Sequence, residues 1–185
     1  MYKQHYYLIL SILIVIFCFA VNINSQSSEA NQKEFVRLMN QNKWSQAKNG
    51  FRYPSFMKHQ YIEDVDNSIF NAEVYSWNSV QIVNVGYLGA WSLIGEGYPT
   101  VNETIAYNIT IKNITYRSER NGIYSGYTTD GRIFYMKTIL YPSGDPNFVG
   151  GMGTLTVIYP KSYQQSVEPI IDIVQHWKPK KLRTD

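Results

Sequence analysis

The second half of the chain carries the clearest pattern of hydrophobic and polar positions. Four short segments rich in β-branched and aromatic residues predict strands, and they span residues 114–117, 123–128, 132–141 and 154–159. Asn121-Gly122 separates the first strand from the second, and Asp130-Gly131 separates the second from the third. Both dipeptides accept the positive φ angles of a tight hairpin turn. The pattern therefore predicts consecutive antiparallel strands.

The third of these strands is apolar on both sides. Ile133 and Tyr135 point to one face of the strand, whereas Phe134 and Met136 point to the other. A sheet with one solvated face would instead alternate apolar with polar residues. We therefore expect helices or a second layer to cover both faces of the sheet.

An amphipathic helix is predicted after the fourth strand, which Pro160 ends. Its apolar stripe recurs at near-helical spacing and consists of Tyr163, Val167, Ile170, Ile171, Val174 and Trp177. Pro169 would break a helix that begins at Ser162, but a proline is tolerated in a first turn. We therefore expect a kink or a new helix start near Ser166, with Ser166 as the N-cap.

The first half of the chain has weaker signals for further elements. They predict a leader helix from Ser27 or Ser28 to about Gln41, a strand over 51–56 limited by Pro54, and strands over 68–77 and 79–88 joined at Asn78. Residues 100–112 favour a short helix up to about Asn108, with a strand as the alternative. Together with the second half, these elements predict an α+β fold with an antiparallel sheet of about six strands.

An apolar run of 16 residues, from Tyr6 to Val21, follows Lys3 and His5 at the N-terminus. Its length and its lack of a polar face are typical of a secretory signal peptide. A helix that spans a bilayer needs about 20 such residues, so the run is short for a stable anchor. We expect cleavage after Ser25 and a secreted or periplasmic location. An uncleaved N-terminal membrane anchor is the alternative.

These boundaries divide the chain into four segments. They are a signal peptide (1–25), a leader helix and linker (26–50), one domain (51–177) and a basic tail (178–185). The only cysteine, Cys18, lies in the signal segment. The mature chain therefore has no disulfide bond, and its stability depends on its hydrophobic core.

The positive charge of the chain is concentrated at its ends. The whole sequence holds 17 Lys and Arg against 14 Asp and Glu, but without residues 1–25 and 178–185 it holds 12 against 13. Such a near-neutral body lacks the electrostatic footprint of a protein that binds nucleic acid. The basic tail is interpreted as a solubilising terminus, with contact to an anionic lipid or polyanion as the alternative.

Metal and phosphate sites are not indicated. Asp64 and Asp66 are spaced like the first two ligands of an EF-hand loop, but Ile69 replaces its glycine and Tyr75 replaces its last carboxylate. The run Gly150-Gly151-Met152-Gly153 lacks the lysine of a phosphate-binding loop. We therefore expect no metal ion and no cofactor.

Catalytic motifs are also missing from the sequence. The two histidines of the mature chain, His59 and His176, lie far apart and in no metalloprotease spacing. His176 lies at a predicted helix end, where a histidine often contacts terminal carbonyl groups. Glu73 and Glu96 are candidates for an acid and a base that act on a sugar, but their separation is unknown from sequence. No catalytic residue is assigned, and a non-enzymatic domain is expected.

Aromatic residues suggest a binding surface instead. The chain holds 16 tyrosines and four tryptophans. One region contains Tyr75, Trp77, Tyr87, Trp91 and Tyr98. We predict a patch of Tyr75, Trp77, Trp91 and Tyr98 that stacks on glycans or anchors a protein partner. Ordinary packing of these side chains within the sheet is the alternative.

Several segments carry a resemblance to a known family. They are Asn113-Ile114-Thr115-Tyr116, Tyr124-Ser125-Gly126-Tyr127, Asp130-Gly131-Arg132-Ile133-Phe134-Tyr135, Leu155-Thr156-Val157-Ile158-Tyr159-Pro160, Glu168-Pro169-Ile170-Ile171 and, earlier, Tyr53-Pro54-Ser55-Phe56. Over residues 50–177 the chain resembles uncharacterised exported bacterial proteins of the PsbP-like superfamily. The resemblance implies an antiparallel sheet sandwiched between helices. The better-known members of that superfamily are binding or assembly subunits, although none of their binding residues can be placed here.

These observations predict an exported, non-enzymatic binding or assembly module of the cell envelope. Its expected partner is a protein or a glycan, with no nucleic acid and no stable membrane span once the signal is cleaved. The alternative is an envelope hydrolase that acts on a glycan or an ester with an acid and a base brought together by the fold.

Overall fold

The computed structural model describes residues 28–48, 50–63, 70–87, 111–141 and 151–178. The chain divides into two compact units, Met1–Gln41 and Asn42–Asp185. The predicted signal peptide and the predicted helix near Asn108 lie outside the described residues. Within those residues, the helices are too short or too polar to cross a membrane.

The first unit contributes one described helix, α1, over residues 28–40. This element confirms the predicted leader helix. Phe35 is its buried side chain, and Leu38 and Met39 are half-buried. Two ion pairs with N–O distances of 2.7 Å run along the helix: Glu29–Lys33 and Glu34–Arg37. Such solvent-exposed pairs at helical spacing contribute little to the stability of the helix.

The second unit holds nine described strands and one described α-helix. The strands are β1 (Trp44–Gln46), β2 (Arg52–Pro54), β3 (Lys58–Glu63), β4 (Phe70–Trp77), β5 (Val80–Tyr87), β6 (Ile111–Ser118), β7 (Ile123–Thr128), β8 (Ile133–Tyr141) and β9 (Gly151–Tyr159). The helix α2 spans Glu168–His176. Short 3-10 helices lie at Glu119–Asn121 and Lys161–Tyr163.

Strands β3 to β9 form one antiparallel sheet in the order β3-β4-β5-β9-β8-β7-β6. Two meanders, β3-β4-β5 and β6-β7-β8-β9, meet where β5 pairs with β9. Strands β1 and β2 form a separate antiparallel hairpin. The α+β class with an antiparallel sheet is therefore confirmed, with seven strands in the main sheet.

The turns between consecutive strands lie where the sequence predicts them. Asn78, between β4 and β5, has a φ of 49°, and Gly131, between β7 and β8, has a φ of 83°. Gly122 has a φ of 62° and follows the 3-10 helix Glu119–Asn121, so the β6–β7 connection is longer than a two-residue turn. Positive φ at these positions is accepted by asparagine and glycine at small cost.

Strands β5 and β9 are buried on both faces, whereas β8 is buried only on its first face, because Ile133 and Tyr135 on its second face are half-buried. The predicted cover of both faces is therefore complete at β9 and partial at β8. The first face carries a cluster of buried residues: Val83, Val85, Phe134, Met136 and Ile158. The second face is formed by the residues that alternate with these along each strand. It carries Ile82, Leu155 and Val157, whose exposed fractions are 0–1%. Strand β9 is therefore buried on both sides and forms the centre of the core.

Helix α2 packs on β8 and β9. Five members of the predicted apolar stripe are buried, namely Tyr163, Val167, Ile170, Val174 and Trp177, and the sixth, Ile171, is half-buried. The predicted new start is also confirmed, but the N-cap is Val167 and not Ser166. The reason is that the Val167 carbonyl accepts the first helical bonds, from the amides of Ile170 and Ile171 at 2.9 Å. Pro169 then lies in the first turn, where its missing N–H is harmless.

Two strands were not predicted, and both are poor in apolar residues. Strand β1 has three residues and lies within the segment predicted as a linker. Strand β3 has the sequence Lys-His-Gln-Tyr-Ile-Glu and is an edge strand of the described sheet. Charged and polar residues are common on edge strands because they oppose pairing with other chains. These two strands form much of the site described next.

Candidate functional site

A cavity of about 490 Å³ lies in the second unit beside the β1–β2 hairpin. Its lining residues come from the hairpin and from β3 and β4: Gln46, Ala47, Lys48, Tyr53, His59, Glu73 and Tyr75. We refer to it as the hairpin cavity. It combines aromatic rings with a carboxylate, an imidazole, an ammonium group and an amide, which is the mixture typical of a site for a small polar ligand.

The hairpin that forms one side of the cavity is held by local hydrogen bonds. The amide of Ala47 donates to the carbonyl of Phe51 at 2.9 Å, and the amide of Gly50 donates to the carbonyl of Ala47 at 3.0 Å. Gly50 has a φ of 98°, which favours glycine at the turn. The Ser45 and Ser55 hydroxyls are 2.9 Å apart and link the two arms of the hairpin.

The register of β3 against β4 brings the other lining residues together. His59 pairs directly with Tyr75, and Tyr61 pairs with Glu73. Residues two apart on a strand and residues paired across strands share a face of the sheet. His59, Glu73 and Tyr75 therefore lie on the second face, beside the hairpin.

Tyr75 is the centre of this cluster, with only 2% of its surface exposed. Its ring stacks on His59 with a centroid distance of 4.6 Å and packs against Tyr53 at 4.2 Å. Phe51 meets the same ring edge-on at 5.3 Å. Pairs of aromatic rings at these distances stabilise a fold beyond the burial of their area. The positions of His59 and Tyr53 are thus set by contacts with Tyr75.

The Glu73 carboxylate has two polar neighbours on the same face, and one of them, Tyr75, orients it by a hydrogen bond. The Tyr75 hydroxyl donates to Glu73 Oε2 at 3.2 Å. His59 Nε2 lies 3.8 Å from Glu73 Oε1, which is too long for a hydrogen bond. The side chain of Glu73 is 15% exposed, and that of His59 is 43% exposed. A ligand can therefore reach Oε1 and Nε2 together.

Tyr75 keeps its proton throughout the physiological pH range. Burial raises the pKa of the Tyr75 phenol well above its ordinary range, and the negative charge of Glu73 and the hydrogen bond to that carboxylate raise it further. The hydroxyl therefore remains a donor to Glu73. The orientation of Oε2 does not depend on a titration near neutral pH.

Only part of the predicted aromatic patch falls within the described residues. Tyr75 is buried in the cluster above. Trp77 is half-buried and meets Phe56 edge-on, with a centroid distance of 6.1 Å. Trp91 and Tyr98 lie outside the described residues. The patch of Tyr75, Trp77, Trp91 and Tyr98 stays a prediction.

Two other tyrosines of the sheet are exposed to solvent. Tyr116 on β6 is 54% exposed, and Tyr127 on β7 is 39% exposed. Ser125 pairs with Tyr116 on one side and with Tyr135 on the other, so the small serine separates two rings on the second face. We call Tyr116, Tyr127 and Tyr135 the tyrosine surface. Sequence reasoning assigned these residues to strands but missed their exposure, which alternation alone does not reveal.

His176 and Glu96 are the remaining candidates for catalysis. His176 Nδ1 lies 2.9 Å from the Asp172 carbonyl oxygen and 3.1 Å from Asp172 Oδ1 at the exposed end of α2. This contact confirms the expected role of His176 at a helix terminus. Glu96 lies outside the described residues. No group of three or more His, Cys, Asp or Glu side chains placed to hold a metal occurs among the residues that the structure describes.

The convergence of His59 with Glu73 was not predicted. The signal that could reveal it is the pairing of β3 with β4, but the mixed sequence of β3 hides that strand.

Comparisons of the chain with protein-family models, with curated proteins and with solved structures found no match.

Proposed function

We propose that this chain is an exported, non-enzymatic binding module of the cell envelope and that the hairpin cavity holds its ligand. The observation that carries the proposal is the set of contacts around Tyr75. This ring positions His59, Tyr53 and the Glu73 carboxylate at once. A site whose groups are already positioned loses little conformational entropy when a ligand binds.

The shape and lining of the cavity favour a small ligand over a large protein surface. A volume of about 490 Å³ falls in the range of small-molecule pockets. Partly exposed polar groups, His59 and Glu73, lie beside aromatic rings at the same place. Polar groups that converge in this way provide orientation and specificity, while the rings provide contact area.

The proposal includes the PsbP-like relationship and the export of the chain. The better-known members of the PsbP-like superfamily are binding or assembly subunits, and an α+β domain with an antiparallel sheet is compatible with that resemblance. Export rests on the apolar run from Tyr6 to Val21 and on the small residue Ser25 that follows it.

A pair of histidine variants tests the site. The purified chain is titrated with mixtures of small polar molecules, and binding is followed in amide NMR spectra. We expect shifts at residues 46–48, 59 and 73–75, and binding that weakens at least about tenfold in His59→Ala. His176→Ala removes a more exposed histidine on α2, whose side chain is 69% exposed, and should leave binding unchanged. Shifts confined to other residues, or equal losses in the two variants, would contradict the proposal.

A hydrolase is the second candidate, and one observation favours it. His59 Nε2 and Glu73 Oε1 are 3.8 Å apart, so an imidazole and a carboxylate face the same space. Such a pair can move protons to and from a glycosidic or ester oxygen. Chromogenic glycosides and acetate esters test this function. Turnover that falls about 100-fold or more in Glu73→Gln would support a hydrolase, and no turnover by the unaltered chain would reject it.

A further inference from the structure

The hairpin cavity has groups of both charges, and this mixture bears on the class of its ligand. Glu73 contributes a carboxylate, Lys48 an exposed ammonium group, and Gln46 a neutral amide. An anionic ligand would approach the half-buried Glu73 carboxylate, and desolvation makes that repulsion costly. A cationic ligand would be repelled by the positive charge of the Lys48 ammonium group. A neutral ligand with many hydroxyl groups meets neither penalty.

The gap between His59 and Glu73 suits a hydroxyl group. Nε2 and Oε1 are 3.8 Å apart, so an oxygen that lies about 2.8 Å from each can contact both. When Nε2 carries the imidazole proton, a hydroxyl can donate to the carboxylate and accept from this N–H at the same time, whereas an ammonium group can only donate and a carboxylate can only accept. In that tautomer the pair favours an alcohol.

The rings beside this pair provide a surface for stacking. Tyr53 is half-buried, and the His59 side chain is 43% exposed. Both rings are packed against Tyr75 and cannot turn without losing that contact. A pyranose ring has an apolar face of C–H groups and a rim of hydroxyls. Such a molecule matches a rigid aromatic surface with hydrogen-bonding groups at its edge.

We infer that the ligand of the hairpin cavity is a neutral pyranose sugar, with one hydroxyl shared by His59 Nε2 and Glu73 Oε1 and its C–H face on the neighbouring rings. This inference rests on the proposed function. For a single sugar ring of about a dozen heavy atoms, a Kd of about 1 mM follows from the usual affinity per atom.

Saturation-transfer NMR on the full purified chain tests the inference with three probe classes. The probes are methyl glycosides of glucose and N-acetylglucosamine, ethanolamine as a cation, and acetate as an anion. We expect a signal from at least one glycoside and none from ethanolamine or acetate. The glycoside signal should fall at least about tenfold in His59→Phe, which keeps a ring on Tyr75 but loses Nε2, and in Glu73→Gln. Tyr116→Ser, which alters the tyrosine surface, should leave it unchanged.

The outcomes separate the inference from the function on which it rests. Binding of ethanolamine or acetate alone, lost in His59→Phe, would overturn the sugar while the cavity remained a binding site. Glycoside binding that survives in His59→Phe and Glu73→Gln but fails in Tyr116→Ser would also overturn the inference. If none of the probes binds and the amide spectra show no ligand at the cavity, both the sugar and the proposed function fail. Thermal unfolding of each variant shows that a loss of signal is not a loss of fold.

Discussion

At the scale of single residues, the same side chain has opposite roles on one face of one sheet. Tyr75 is 2% exposed and contacts three other rings, whereas Tyr116 is 54% exposed at the edge strand β6. Both lie within eight-residue strands of the same sheet. The difference follows from position, because the β1–β2 hairpin adjoins β4, whereas β6 is the last strand of the described sheet.

Substitutions of Tyr75 should separate the contribution of its hydroxyl to the free energy of unfolding from the contribution of its ring. Tyr75→Phe removes the hydrogen bond to the Glu73 carboxylate and should lower the free energy of unfolding by about 1–2 kcal/mol. Tyr75→Ala also removes the ring contacts and should lower it by about 3–5 kcal/mol. Tyr116→Phe and Tyr116→Ala are the controls and should stay within about 0.5 kcal/mol of the unaltered chain. Urea unfolding measures all four, and equal losses at positions 75 and 116 would contradict the central role of Tyr75.

At the scale of secondary structure, the hairpin turns of the β6–β8 meander depend on two glycines with positive φ. Gly131 has a φ of 83°, and a Cβ atom there would meet nothing within 4 Å. Gly122 has a φ of 62°, and a Cβ atom there would overlap the carbonyl oxygen of Thr138. The Thr138 amide also donates to the Gly122 carbonyl at 2.7 Å. The two turns therefore differ in their tolerance of a side chain.

The pair Gly122→Ala and Gly131→Ala measures this difference. Alanine at positive φ costs about 1–2 kcal/mol at either position. At Gly122 the overlap with the Thr138 backbone should add about 1–3 kcal/mol, because a backbone atom cannot move aside as a flexible side chain can. Chemical denaturation of both variants gives the two values. A Gly131→Ala variant that is as destabilised as Gly122→Ala would show that the close contact has no effect.

The β7–β8 turn also carries a pH-dependent contact. The Thr128 hydroxyl donates to Asp130 Oδ1 at 2.5 Å, and Arg132 Nε donates to Oδ2 at 2.8 Å. These contacts, led by the Thr128 hydrogen bond, lower the pKa of Asp130 below its ordinary value of 3.8. The resulting stabilisation is fully present above the unfolded-state pKa and is lost as pH falls through the folded-state pKa.

Asp130→Asn should therefore flatten the pH dependence of stability in the acid range. At neutral pH the substitution should cost less than about 1 kcal/mol, because the Asp130 side chain is half exposed and its ion pair is screened by solvent. Below about pH 3 the difference from the unaltered chain should shrink. Thermal unfolding at a series of pH values checks this. A difference that grows as the pH falls would contradict the assignment.

At the scale of the whole molecule, the hairpin cavity lies at the β3–β4 end of the sheet, and the tyrosine surface lies at the β6–β7 end. The junction of β5 with β9 joins the two meanders into one sheet. Helix α2 packs on β8 and β9, between these two ends. The second unit therefore carries two separate groups of aromatic residues on the second face of its sheet.

Export of the whole chain can be tested directly. We expect the protein made in its native host to be an extracytoplasmic species that begins at Gln26, because the apolar run is shorter than a typical bilayer span. Intact mass and cell fractionation measure this together. A full-length, membrane-bound species would instead identify residues 6–21 as an anchor and would direct the search for partners to membrane assemblies.

Elements whose signals are local could be predicted from the sequence. Asn78, Asn121-Gly122 and Asp130-Gly131 mark turns because few residues adopt positive φ without strain. The apolar stripe of α2 and the two-sided apolar pattern of β8 follow from the 3.6- and 2-residue periods of helix and strand. These signals predicted strands β4, β5 and β7 to β9 and the start of α2 to within a few residues.

Features that depend on contacts between distant segments could not be predicted in this way and follow from the folded arrangement of the chain. Strand β3 is polar enough to resemble a loop, and it becomes a strand because β4 offers hydrogen bonds along its whole length. The pairing of β3 with β4 then brings His59 to Glu73, and the hairpin adds Tyr53. Which tyrosine is buried and which is exposed follows from strand order. Strand order depends on the packing of the whole chain, and no local pattern of residues encodes it.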